Sequence, residues 1–140
     1  MSITLSTCNI KMNNDWWNQI FTLVAGRCSS FRVHCWNDEI SEISRIKQFG
    51  NVLNTSWEHG VIIEGQISDS FIDSITSLYV ATQRNGYNMM TPFFTIELDG
   101  VFSSSHYGTE VFIENINLDT MHDIDNILLS LKPTIEVSKD

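Results

Sequence analysis

The chain has 140 residues, of which 42% are hydrophobic and 11% aromatic, and its formal net charge at pH 7 is −9. This length and composition predict a single globular domain, residues 1–140, whose core suffices for folding without a disulfide or a metal. The negative charge argues against binding to nucleic acid or to an anionic membrane, because a protein that binds phosphate groups must supply cations.

The cysteines and the hydrophobic pattern indicate a compartment. Cys8, Cys28 and Cys35 are an odd number without Cys-x-x-Cys spacing, and the N-terminal residues lack the pattern of a signal peptide. No apolar run approaches the length of a membrane span. We therefore expect a cytoplasmic protein with free thiols and no membrane-spanning segment.

Strand and helix patterns alternate from the start of the chain. Residues 3–7 predict a short strand, and the polar group 13–15 predicts the start of a helix that ends near Gly26. The apolar residues of this helix have the i, i+3, i+4, i+7 spacing of one buried stripe, and they are Trp17, Ile20, Phe21 and Val24.

Residues 31–36 predict a second strand, because apolar and polar residues alternate there. One face would carry Phe31, Val33 and Cys35, and the other Arg32, His34 and Trp36. A second helix, capped by residues 37–38 and ended by Gly50, would bury Ile40, Ile43 and Ile46.

Two further strands are predicted at 52–57 and 61–67. The run 61–63 is continuously apolar, which predicts a central strand buried on both faces. Ser70 and Asp73 have the spacing of a capping box at the start of a third helix. The inner stripe of that helix would be Phe71, Ile75, Leu78, Tyr79 and Thr82.

The dipeptide Asp99-Gly100 between two alternating runs predicts a β-hairpin. A two-residue turn would pair Leu98 with Val101 and Glu97 with Phe102, so Phe102 would share the outward face with Glu97.

A third strand of this meander, residues 110–116, would turn Val111 and Ile113 inward. A last helix, residues 119–131, would end before Pro133 and bury Met121, Ile124, Leu128 and Leu131. Together the elements predict an α+β (mixed α/β) domain. Its central sheet has about five to seven strands, largely antiparallel in the C-terminal half, packed against three to four helices.

Motifs of catalysis and cofactor binding are missing: there is no P-loop, no Gly-x-Gly-x-x-Gly and no Gly-x-Ser-x-Gly. Cys28, His34 and Cys35 lack the paired spacing of a zinc site, and adjacent strand residues point to opposite faces. Asp119 and Asp123 fit the first turns of a helix better than a metal site. We expect no catalysis, no cofactor and no metal.

The acidic residues are concentrated between Arg84 and Lys132, an interval that contains no lysine or arginine. They are Glu97, Asp99, Glu110, Glu114, Asp119, Asp123 and Asp125. This charge favours a basic partner and a fast, salt-sensitive encounter with it. Phe112, between two outward carboxylates, and Tyr107 are the aromatic residues that we predict to anchor such a partner. The alternative for Phe112 is a core position, with a helix covering that side of the sheet.

In its size, its one-sided acidic charge and its lack of a catalytic motif, the chain resembles bacterial immunity proteins. These neutralise polymorphic or contact-dependent growth-inhibition toxins, and the chain is similar in the same way to antitoxin-like inhibitors of ribonucleases. The resemblance is one of general character. It implies one-to-one binding to a basic toxin domain of nuclease type, with the seven acids forming one charged face.

Two alternatives stay open. A small ligand-binding domain would use Arg32, His34, His59 and Glu64. A structural or adaptor subunit would form a homodimer through an exposed sheet edge or an aromatic patch.

Overall fold

An antiparallel sheet of eight strands is the frame of the protein. The computed structural model describes residues 1–7, 12–54, 57–78, 83–84 and 87–140, and of residues 83, 84 and 87 the backbone only. Within these ranges the helices are α1 (Asp15–Ala25), α2 (Ile40–Lys47), α3 (Asp69–Thr76) and α4 (Leu118–Leu131). The strands are β1 (Ile3–Thr7), β2 (Ser30–Trp36), β3 (Gly50–Val52), β4 (Gly60–Gln66), β5 (Gln83–Arg84), β6 (Tyr87–Asn88), β7 (Thr95–Leu98), β8 (Phe102–Ser105), β9 (Glu110–Ile113) and β10 (Ile135–Lys139).

The strand order of the main sheet is β10-β1-β9-β8-β7-β2-β4-β3, and all of these neighbours are antiparallel. Strands β5 and β6 form a separate two-stranded ribbon. The predicted α+β class is confirmed, and the main sheet has one strand more than the upper end of the predicted range.

Aromatic contacts place α1 and α3 on the same side of this sheet. Phe21 of α1 meets Phe102 of β8 edge-on, with 5.9 Å between the ring centroids. Phe71 of α3 stacks on Phe31 of β2 at 4.1 Å. Burial of each such ring stabilises the fold by roughly 1.5–3 kcal/mol, so these contacts hold the helices on the sheet.

Helix α4 lies on that side as well. The ammonium group of Lys139 donates to Asp125 of α4 at 2.6 Å, and Lys139 pairs across the strands with the buried residue Ile3. Met121 and Ile124 of α4 join the same core, and so does Ile46 of α2. The four helices therefore share one layer, and the fold has two layers.

The Asp99-Gly100 turn is where it was predicted, but the register beside it is not. Both residues have positive φ, and the N–H of Val101 donates to the carbonyl of Leu98 at 2.9 Å. The turn therefore contains one residue more than the predicted two-residue turn, namely Val101, and Leu98 pairs with Phe102. The prediction of an outward Phe102 beside Glu97 is therefore wrong, because a shift of one residue moves every side chain of a strand to the other face.

The helix starts also differ from the prediction. The N-cap of α2 is Glu39, and Ile40 of this helix is exposed rather than buried. The N-cap of α3 is Ser68 rather than Ser70, and its hydroxyl accepts a hydrogen bond from the N–H of Phe71 at 3.1 Å. The predicted stripe residues Tyr79 and Thr82, like Cys8, lie outside the described residues.

Two strands depart from the sequence prediction. β4 has a neighbour on each side, yet Ile62 is only half-buried, so the expected burial on both faces is wrong. The reason is that the helices cover only one side of the sheet. β10 was not predicted at all, because its alternation is short and follows Pro133 closely.

Asp99 ties the β7–β8 turn to the start of β2. Its carboxylate accepts hydrogen bonds at 2.9 Å from the N–H groups of Ser29 and Ser30 and from the hydroxyl of Ser30. Desolvation is the largest single influence and opposes ionisation, but these donors and the thiol of Cys28 together outweigh it and hold the pKa of Asp99 below its ordinary value of 3.8. A residue predicted to bind a partner thus has a structural role.

Replacement of Asp99 by asparagine should lower the free energy of unfolding at pH 7 by about 0.5–1.5 kcal/mol, since solvent screens part of the lost interaction. Asparagine also tolerates positive φ, so the backbone is unaffected. Because the folded-state pKa is depressed, the stabilisation is present above pH 3.8 and is lost as the pH falls through the folded-state pKa. Urea unfolding at pH 7 and at about pH 3 measures both effects.

The matched control is Asp38→Asn, at an exposed aspartate outside the turn, for which we expect a change under about 0.5 kcal/mol. An Asp99→Asn effect of equal size at both pH values would contradict this role.

Candidate protein-docking face

The side of the sheet opposite the helix layer, which we call the open face, is covered by none of the four described helices. Strand pairing aligns one residue from each strand across this face. In sheet order this central row reads Ser138, Thr4, Phe112, Ser103, Glu97, Arg32, Glu64 and Asn51. The open face is therefore eight strands wide, and all but one residue of this central row are polar.

Phe112 is the large apolar side chain of that row, and 41% of its surface is exposed. It pairs with Thr4 on one side and Ser103 on the other. Glu110, two residues earlier on the same strand, and Glu114, just after the strand, are exposed. The predicted outward position of Phe112 beside carboxylates is confirmed, and an exposed ring held on a rigid sheet is typical of a binding hot spot.

Negative charge predominates on the strand positions of the open face. Arg32 is the cation among those described, and the carboxylates are Glu64, Glu97, Glu110 and Glu136. The guanidinium of Arg32 donates to Glu64 at 2.8 Å. Glu110 and Glu136 both pair with Ser6, so they lie one strand to either side of it.

His34 of β2 lies on the open face and is half-buried. Its Nε2 atom is 3.2 Å from a carboxylate oxygen of Glu97. Burial lowers the pKa of His34 below its ordinary value of 6.5, the nearby Glu97 works in the opposite direction, and Arg32 adds to the lowering. The neutral imidazole is therefore favoured at pH 7.

An aromatic cluster occupies the end of the open face near the start of β4. Its members are His34, Trp36, Trp57, Phe94, His106 and Tyr107. Trp36 is in contact with both Trp57 and Phe94, at centroid distances of 5.7 and 5.0 Å. A Cβ atom on Gly60 would lie 2.6 Å from the Trp57 ring, so only glycine lets this indole lie against β4.

Tyr107, predicted as an anchor, is half-buried and has a structural contact. Its hydroxyl donates to Glu39 at 3.0 Å, and the same buried carboxylate accepts from the N–H of Trp36 at 2.8 Å. His106, Tyr107 and Gly108 all have positive φ. Consecutive positive φ values are uncommon for residues other than glycine. This backbone conformation lets the Tyr107 hydroxyl reach Glu39, whereas His106 is exposed.

The acids of α4 lie on the other side of the molecule. Asp123 is paired with Arg27 at 2.8 Å and Asp125 with Lys139 at 2.6 Å. Asp119 is in the first turn, where the helix dipole favours a negative charge. The expectation that all seven acids form one charged face is therefore wrong, because the sheet separates Glu97 and Glu110 from the acids of α4.

The residues of the ligand-binding alternative are partly brought together. Arg32, His34 and Glu64 share the open face, whereas His59 is exposed beside Glu58. A cavity of about 270 Å³ lies at the hairpin end of this face, lined by Ser30, Phe31, Arg32, Glu64, Glu97, Asp99 and Gly100. Its charged groups are engaged by neighbours within the chain, as described above.

The described thiols are protonated at neutral pH. Burial, with Asp99 nearby, raises the pKa of Cys28 to about 11, and burial, with Glu39 and Glu42 nearby, raises that of Cys35 to about 12. In the described ranges, no group of three histidine, cysteine or acidic side chains is close enough to hold a metal ion. The helices within those ranges are all too short or too polar to cross a membrane.

The aromatic cluster was not predicted as a unit. Alternation along β2 did place His34 and Trp36 on the outward face, but the contacts with Trp57 and Phe94 join residues far apart in the sequence. Comparison with family models, with curated proteins and with solved structures finds no match to this chain. The assignment of the candidate site therefore rests on the structure of this chain alone.

Substitution of Glu97 by glutamine should lower the pKa of His34 further, because the carboxylate is the neighbour that favours the imidazolium form. Titration of the His34 ring signals by NMR measures this change. Glu110→Gln removes an equal charge from the same face two strands further away and should leave the His34 pKa unchanged. Equal changes in the His34 pKa in both variants would indicate that the total charge of the protein acts on His34 rather than its direct contact with Glu97.

Replacement of Tyr107 by phenylalanine should lower the free energy of unfolding by about 1–3 kcal/mol, because the buried carboxylate of Glu39 loses a donor. Thermal or urea unfolding measures the loss. Ser103→Ala, which removes a hydroxyl from the open face, is the control, and we expect it to change stability by less than about 0.5 kcal/mol. If both variants had the same free energy of unfolding, the Tyr107–Glu39 hydrogen bond would make no net contribution to stability.

Proposed function

We propose that this protein binds and neutralises a basic protein partner one-to-one, as an immunity protein that inhibits a nuclease-type bacterial toxin in the cytoplasm. The observation that supports this most directly is the open face. It is a sheet surface that none of the described helices covers, and on it an exposed Phe112 lies among carboxylates that outnumber the one cation described on its strands.

The open face suits a basic partner better than the acids of α4 do. Asp123 and Asp125 are paired with cations of the same chain, so a partner would have to displace Arg27 or Lys139. Glu110 is exposed and adjacent to Phe112. Charge complementarity steers association, and an apolar ring excluded from water supplies affinity.

A nuclease is the partner class that this chemistry favours. A nuclease holds the phosphate backbone of its substrate in a groove lined by cations. Carboxylates on the strands of a rigid sheet can occupy such a groove at the positions of the phosphates, and the ring of Phe112 can cover an apolar contact beside them. The free thiols Cys28 and Cys35 are consistent with a reducing compartment, where such a toxin acts.

The first experiment is affinity capture of the protein from its producing cell, with the products of the neighbouring reading frames co-expressed. We expect one basic protein, retained at a ratio of one to one. That protein should degrade nucleic acid only after the 140-residue chain has been removed by denaturation. Failure to retain a basic protein at low salt would contradict the proposal.

The second experiment locates the interface with the captured partner. Phe112→Ala and Glu110→Gln together should raise the Kd by about 10–100-fold, as expected for a central aromatic hot spot and one charge. Ile40→Ala is the matched apolar control, since Ile40 is exposed on the helix layer. A triple change of Asp119, Asp123 and Asp125 to asparagine should have a smaller effect, and a larger one would move the site to α4.

A further inference from the structure

β10 is the outermost strand of the main sheet and has a neighbour on one side only in the described chain. Ser2 and Asp140 exchange both backbone hydrogen bonds, at 3.1 and 3.0 Å. Because the direction of backbone groups alternates along a strand, Glu136 and Ser138 direct theirs toward β1. The N–H and C=O groups of Val137 and Lys139 therefore point away from the sheet. A free edge of this kind is a template for another strand.

Exposed apolar side chains flank this edge on the helix side. Val137 is 45% exposed and Leu129 of α4 is 71% exposed. Lys139 of β10 meets Asp125 of α4. Leu129 is one helical turn from Asp125, and Val137 is two residues from Lys139, so Leu129 and Val137 lie at the same level. A strand added to the edge would cover both side chains.

The charges along β10 are compatible with a second copy of the same strand in one register. A two-fold axis through Ser138 would place Glu136 opposite Asp140, and an axis through Glu136 would place two glutamates opposite each other. An axis through Val137 places Val137 opposite its equivalent, Glu136 opposite Ser138 and Ile135 opposite Lys139. This register pairs both outward-facing backbone groups of Val137 and gives the N–H of Lys139 the carbonyl of Ile135 as its acceptor, while the N–H of Ile135 keeps its bond to Pro133. It opposes no like charges.

We propose that two copies of this chain form a homodimer by antiparallel pairing of their β10 strands, centred on Val137. The ammonium group of Lys139, a common protection of sheet edges, is held by Asp125 of its own chain and does not obstruct the approach. The two sheets become one sheet of sixteen strands, twice the eight of one copy. The two-fold axis is perpendicular to the sheet, so both open faces lie on the same side.

The other edge strand, β3, is less suitable for this pairing. It is three residues long, against five in β10, and therefore offers fewer backbone groups. Its exposed Val52 nevertheless resembles Val137 in type and in exposed fraction, 40% against 45%. Val52 is accordingly the matched control for substitutions at Val137.

Sedimentation equilibrium of the full chain at about 1–300 μM tests the proposal. We expect a mass of twice 16.0 kDa at high concentration. Val137→Glu should weaken the dimer at least tenfold, because two carboxylates would face each other, whereas Val52→Glu should not. Ser138→Lys should strengthen it, because the new ammonium faces Glu136 of the other copy. Circular dichroism of each variant confirms that the monomer is folded.

Three results would overturn the proposal: a monomeric wild type at all concentrations, equal effects of Val137→Glu and Val52→Glu, or a dimer weakened by Ser138→Lys. The effect of salt distinguishes the homodimer from the complex with a basic partner. Each copy carries a net charge of −9, so added salt should strengthen the dimer by screening repulsion. The same salt should weaken the complex of the open face with a basic partner, and either association can fail without the other.

Discussion

Alternation along β2 is the constraint on which the rest of the structure depends. This strand pairs with β7 on one side and β4 on the other over most of its length. Its inward residues, Phe31, Val33 and Cys35, are fully buried beneath the helix layer. Because successive side chains of a strand point to opposite faces, the remaining residues Arg32, His34 and Trp36 lie on the open face. One strand thus fixes both the core and the charged and aromatic groups of the candidate site.

Local patterns in the sequence were sufficient for most elements and for the fold class. The alternation at β2 and β9 correctly assigned His34, Phe112 and Glu110 to the outward side. The predicted face was wrong for Phe102, because one additional residue in the turn changed the register of the hairpin. Val101 adds a residue to the hairpin, and Phe102 consequently turns into the core. A dipeptide signal predicts a turn but does not tell whether a bulge follows it.

Long-range contacts were beyond the reach of local patterns. The acidic interval has no lysine or arginine of its own, yet Arg27 and Lys139 reach Asp123 and Asp125 from distant parts of the chain. The sequence therefore overstated the free charge of α4. The same limit applies to the aromatic cluster, whose members come from four separate segments. It applies also to β10, which is ordered by pairing with β1 at the far end of the chain.

The two-layer arrangement separates the tasks of the side chains along each strand. Inward residues are close-packed, and substitutions there cost stability because a buried volume changes. Phe112, Glu110 and Glu136 contact solvent instead, and changes at such positions alter stability by only small amounts. Because helices cover only one side, the surface chemistry of this sheet can be exchanged one residue at a time while the fold persists. A scaffold of this kind can acquire a new binding specificity through single substitutions, without passing through an unstable intermediate.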